Sequence, residues 1–246
     1  MSAKKVRPQV LPLPSESFDG CLYLPYDPGE SGVRFPVITL LGSEEGEIRS
    51  IASELSRLPH WQEKPYAIVG LHPHDWAHDY SPLDAPPLRD GVEAFTAGAG
   101  EHLREITGKL FPELVKNAPL LSDPCQNILA GYSLAGLCAL YGAYAVPEHF
   151  SGFAACSPSL WMEGWMDYMK ATPLPQKTAR LYLSLGKKEP ITKNPRMARV
   201  GAAFEEASAL LSAALPEGDF RAEWNNGNHF FEPDRRIARG LAFLTE

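Results

Sequence analysis

Ser133 stands in the run Gly131-Tyr132-Ser133-Leu134-Ala135-Gly136, directly after the apolar stretch Ile128-Leu129-Ala130. A serine hydroxyl is a weak nucleophile until a base takes its proton. Small residues on either side of the serine let a helix double back close to the strand that feeds it. Such a turn strains the serine backbone and lifts its hydroxyl clear of the sheet. The N–H of Leu134, in the first turn of that helix, is then placed to stabilise an oxyanion. Glycine is usual at the fifth position of this pattern, and here Ala135 occupies it, followed by Gly136. One added methyl group still allows the turn.

A base and an acid must then reach the serine. Where a serine sits on a turn of this kind, the chain order is serine, carboxylate, histidine. Two histidines follow Ser133, at 149 and 229. His149, in Pro147-Glu148-His149-Phe150, falls between the predicted helix and the next strand, at the far end of the sheet. His229, in Asn225-Asn226-Gly227-Asn228-His229-Phe230-Phe231, follows the last predicted strand. That is the carboxyl edge, where open α/β sheets build their sites, so His229 is the expected base. Glu189, in Gly186-Lys187-Lys188-Glu189-Pro190, is the first carboxylate after the predicted strand 179–185. It is the expected acid, orienting the imidazole. Asp219 and Glu223 lie just before or within the last strand and are poorer placed. The second oxyanion donor is expected from the N–H of Ser43 or Glu44, in the loop after Leu41. Trp76, Tyr80, Tyr132 and Trp161 are candidate walls of a substrate pocket, although aromatics of this kind also serve as ordinary core.

These residues need a scaffold. Dense apolar runs predict strands at 21–25, 35–41, 66–71, 126–130, 152–156, 179–185 and 220–224. Helical spacing predicts helices at 47–58, 91–117 with an interruption at Pro112, 134–146, 160–170, 195–215 and 233–244. Strands and helices alternate, which implies a mostly parallel sheet covered on both faces: an α/β three-layer sandwich. Residues 1–19 read as an arm or an edge element, and 20–246 as one domain with a loop or lid at about 72–90.

Composition narrows the function. The chain has 246 residues and a net charge of −7, and no basic stripe marks it for nucleic acid. No apolar run approaches the roughly 18 residues of a membrane span. The lysines near the N-terminus are not followed by an apolar signal segment. None of the four cysteines forms a C-x-x-C pair, and Cys138 and Cys156 sit in apolar runs as small buried hydrophobes. The expectation is a cytoplasmic protein in a reducing compartment, with a small-molecule ester substrate, no cofactor and no assigned oligomeric state.

Four stretches together resemble the esterase family of α/β hydrolases that includes esterase D and enterochelin esterase-like enzymes. They are the Gly-Tyr-Ser-Leu-Ala-Gly run at 131–136, Ser157-Pro158-Ser159-Leu160-Trp161, His78-Asp79-Tyr80-Ser81-Pro82 and Gly227-Asn228-His229. In the third stretch His78 replaces the usual arginine. The likeness covers roughly residues 20–244. It implies an α/β-hydrolase fold and a serine–histidine–acid hydrolase of carboxylic esters, of siderophore-ester or simple or aryl ester type. Three other readings stand beside it. The run His72-Pro73-His74-Asp75-Trp76-Ala77-His78-Asp79 invites a metal-dependent hydrolase. Its spacing departs from His-x-His-x-Asp-His, because Trp76 and Ala77 take the last two places. An acyltransferase would use the same acyl-enzyme with an alcohol acceptor. A non-catalytic binding protein could keep the fold alone.

Overall fold

The computed structural model describes residues 7–175 and 179–246. Eight strands form one sheet: β1 (Gln9–Pro12), β2 (Gly20–Leu24), β3 (Val37–Leu41), β4 (Ala67–Leu71), β5 (Asn127–Tyr132), β6 (Gly152–Cys156), β7 (Arg180–Gly186) and β8 (Phe220–Asn225). Their order is β1-β2-β4-β3-β5-β6-β7-β8. The pairs from β4 to β8 are parallel, while β1 and β2 form an antiparallel edge. Part of the predicted N-terminal arm is therefore an edge strand, and its residues 1–6 lie outside the described residues.

The helices are α1 (Glu45–Leu55), α2 (Pro59–Glu63), α3 (Trp76–Asp79), α4 (Ala99–Glu105), α5 (Phe111–Asn117), α6 (Ser133–Ala145), α7 (Trp165–Ala171), α8 (Val200–Ala214) and α9 (Pro233–Thr245). Strand side chains alternate between faces, so each parallel strand feeds two cores. Ile38, Leu40, Ile68 and Ile128 pack under α1 and α9 with Ile48, Ile51, Ile237 and Leu241. Val37, Leu41, Val69 and Leu129 pack on the opposite side with Leu103, Leu137, Leu140 and Phe204 of α4, α6 and α8. This is the predicted three-layer α/β arrangement. Among the described residues, no helix is long and apolar enough to cross a membrane.

Helix α6 is apolar nearly all round, and nine of its residues are buried. A helix of that composition belongs inside the molecule, hard against its own strand. Cys138 within it and Cys156 on β6 are fully buried, as expected from their apolar neighbours.

The predicted helix at 91–117 differs from the structure at two points, and the one predicted from residue 160 begins only at Trp165. Residues 91–98 are not helical; the helix begins at Ala99, where the Pro- and Gly-rich segment before it ends. Pro112 does not break that helix. A π-helical turn at Ile106–Leu110 runs directly into α5, and Pro112 sits in the first turn of that helix.

Candidate active site

The carboxyl ends of the parallel strands converge on one region. Ser43 follows β3, Trp76 follows β4, Ser133 follows β5, Ser157 follows β6, Glu189 follows β7 and His229 follows β8. Side chains remote in sequence are thus brought to one edge of the sheet.

Ser133 is the first residue of α6 and has φ 61°, in the left-handed region. The turn that forces this conformation depends on Gly131. A Cβ there would lie 2.3 Å from the carbonyl oxygen of Ala135, closer than any real contact. Ala135 itself is fully buried, so the methyl group that replaces the usual glycine is accommodated in the core.

His229 Nε2 is 3.1 Å from Ser133 Oγ, and its Nδ1 is 2.7 Å from Glu189 Oε2. An ionised carboxylate only accepts, so Nδ1 carries the proton and Nε2 is left to accept from the serine hydroxyl. Glu189 is almost fully buried, with 5% of its side chain exposed. Its second oxygen accepts from the Ser157 hydroxyl at 2.7 Å, the Gly186 N–H at 2.7 Å and Arg236 Nη1 at 2.8 Å. Burial alone pushes this carboxyl up. The hydrogen bond and charge of His229, with the Ser157 and Gly186 donors, outweigh that push and hold it below the usual carboxylate range. The carboxylate is therefore ionised and fixed in direction.

Arg236 is the group that sequence reading missed. It sits on α9 and is 2% exposed. Nη1 donates to Glu189, to the Ser157 hydroxyl at 2.8 Å and to the Tyr132 hydroxyl at 2.9 Å. Nη2 donates to the carbonyls of Asn226 and Asn228, at 2.8 and 2.7 Å. One guanidinium thus ties the acid to the loop that carries His229. The clue in the sequence was an arginine on the apolar stripe of α9, in line with Gly240 and Leu244. Ser157, quoted above only as part of a motif, is fixed between Arg236 and Glu189 and has φ 44°. Tyr132 donates from its hydroxyl to the His229 carbonyl at 2.7 Å. Burial pushes its phenol up to about 12, so it stays a donor.

A cavity of about 850 Å³ opens over Ser133 and His229, with Trp76 and Trp161 in its wall. A second, of about 240 Å³, borders the same pair and is lined by Ser43 and Tyr132. Two expectations need correction. Tyr80 lines neither cavity; it is fully buried, edge-on to Trp76, with its hydroxyl donating to the Leu71 carbonyl. Glu44 is not a free oxyanion donor. Its N–H donates to the Glu47 carboxylate at 3.1 Å in the capping box of α1. Leu134 borders the large cavity at the start of α6, and Ser43 borders the small one.

His72, His74 and His78 are not gathered. Among the described residues, no group of three or more His, Cys, Asp or Glu side chains is placed to hold a metal ion. His78 Nδ1 is 2.8 Å from the Thr96 hydroxyl. The aspartates of that run shape the loop: Asp79 accepts from the N–H groups of His74 and Asp75, and Asp75 caps α3 through Ala77 and His78.

Similarity to known proteins points to an esterase family. The family profile described as "Putative esterase" matches residues 15–232. The uncharacterized protein YbbA of Bacillus subtilis is 25% identical over 173 residues, 68% of this chain and 67% of that protein. The iron(III) salmochelin esterase of Escherichia coli is 36% identical over 66 residues, 26% of this chain and only 16% of its own length. Among solved structures, an IroE-like serine hydrolase from Shewanella oneidensis superposes with a TM-score of 0.76 at 21% identity, covering 95% of this chain and 78% of that one. The siderophore hydrolase EstA from Aspergillus nidulans gives 0.72 at 17% identity, covering 100% and 96%. At such identities the superpositions speak for the fold, and the profile, which spans most of the chain, speaks for the family. The chain belongs to this esterase family and is a carboxylic ester hydrolase built on the α/β-hydrolase fold.

Proposed function

We propose that the chain cleaves carboxylic esters of simple or aryl type through a Ser133–His229–Glu189 triad and an acyl-enzyme. The observation that carries this reading is the unbroken hydrogen-bonded chain from Ser133 Oγ through the His229 ring to Glu189 Oε2, at 3.1 and 2.7 Å. His229 Nε2 takes the Ser133 proton as Oγ bonds to the ester carbonyl carbon. The carbonyl oxygen becomes an oxyanion, held by the N–H groups of Leu134 and Ser43. The carbonyl re-forms, the bond to the alkoxide breaks, and the imidazolium gives its proton to that leaving oxygen. Water then adds to the acyl-enzyme: its proton passes to His229, the carboxylic acid leaves, and Ser133 regains its proton. Glu189 keeps the imidazole in the required tautomer and stabilises its cation.

Labelling with a fluorophosphonate tests the nucleophile. One adduct per chain is expected, mapped to the peptide holding Ser133 and absent in Ser133→Ala. An adduct elsewhere, with Ser133 unmodified, would overturn the assignment.

A further inference from the structure

We infer that the site selects uncharged esters with one bulky apolar part and discriminates against anionic ones. This deepens the reading of Ser133 as nucleophile and rests on it. The two cavities that meet at Ser133 and His229 are unequal, about 850 and 240 Å³, so the ester they fit is lopsided. Trp76 and Phe230, like Ser133 and His229, line both. The larger cavity is walled by Leu88, Val92, Phe95, Trp161, Met197 and Val200. The apolar surface continues to the mouth, where Phe230 is 86% exposed and Val92 44%. Walls of this kind reward each methylene that leaves water, by about three- to fourfold in affinity when burial is complete.

Charge sharpens the choice. Among the described residues, no lysine or arginine lines either cavity. The charged groups that do are carboxylates: Asp75, Glu93 and the ion-paired Glu189 in the larger cavity, beside His74, and Glu47 in the smaller. Arg236 cannot serve an anionic substrate, because it is buried and its Nη groups are committed to Glu189, Ser157, Tyr132 and two loop carbonyls. The whole chain carries −7. Arg196, over the Trp161 ring at 5.8 Å, is committed to the Pro86 and Pro87 carbonyls. A carboxylate or an anionic iron–catecholate complex entering here would be desolvated against like charge with no cation in the lining to meet it.

The test compares kcat/KM for p-nitrophenyl acetate, butanoate, hexanoate and octanoate, and for the p-nitrophenyl monoester of suberic acid. That monoester matches octanoate in length but ends in a carboxylate. The expected profile rises about tenfold or more from acetate to hexanoate. The suberate monoester should fall about tenfold or more below octanoate at low salt. That gap should narrow at high ionic strength and narrow further in Glu93→Lys, whose side chain lies on the exposed rim. A flat chain-length profile, or a suberate monoester turned over as well as octanoate, overturns the proposed class. Ser133→Ala is run on every ester. Turnover that depends on Ser133 but ignores charge and length removes the substrate class alone; turnover that survives in Ser133→Ala removes the nucleophile and the class with it.

Discussion

The floor and the wall of the site are built by different physics. On the floor, Glu189, Ser157 and Arg236 are buried and Tyr132 half-buried, and charged or hydroxyl hydrogen bonds fix each of them. On the wall, Trp76, Val92 and Phe230 are exposed and apolar. Buried, satisfied polar networks are rigid, because any displaced group would be left unpaired in a medium of low dielectric. Exposed apolar side chains lose little when they shift. The floor can therefore hold the geometry that chemistry needs, while the wall can adapt to a ligand. Substitutions on the floor should act on turnover and stability together, and substitutions on the wall on substrate affinity.

The sharpest way to break this contrast is at Glu189. Glu189→Gln keeps the size of the side chain but allows the wrong imidazole tautomer, and kcat/KM should fall by about 10²–10⁴-fold. A loss of less than threefold would mean that the acid does not orient His229. Arg236→Met is expected to destabilise the fold by about 3–5 kcal/mol, since it leaves a buried carboxylate without its cation. Urea unfolding reads this directly, and an unchanged midpoint would show that the floor does not depend on the ion pair.

The pH dependence of stability follows from the lowered carboxyl of Glu189. A folded-state value below the unfolded one contributes stability that is full above the unfolded value, about 4.5, and is lost as pH falls through the folded value. Wild type should therefore lose stability more steeply than Glu189→Gln on acidification below that point. Equal slopes would count against an ionised, hydrogen-bonded Glu189. The smallest effect belongs to the wall. Phe230→Ala should raise KM for a hexanoyl ester by about three- to tenfold with kcat nearly unchanged. A matching fall in kcat would place Phe230 with the floor.

The sequence made some of this legible and hid the rest, for physical reasons. Alternating strands and helices, and the carboxyl-edge positions of Ser133, Glu189 and His229, are local patterns that can be read along the chain. Arg236 is different: its meaning lies in acceptors on four other segments, which only the folded sheet brings near. Tyr80, open in the sequence to either pocket or core, turns into the core beside Trp76, a direction that residue type does not reveal. Glu44 could have been read correctly. Glu44 and Glu47 are three apart at a helix start, and that spacing marks an N–H already in use. The wall residues at 88–95 and 197–200 come from segments far apart in the chain, and no periodicity links them.

The most direct test of the account is the turnover of an uncharged p-nitrophenyl ester by Ser133→Ala, measured beside wild type after both are shown to have the same melting profile. The account predicts a loss of about 10⁴-fold or more in kcat, with hydrolysis reduced close to background. Activity retained within tenfold of wild type would contradict it.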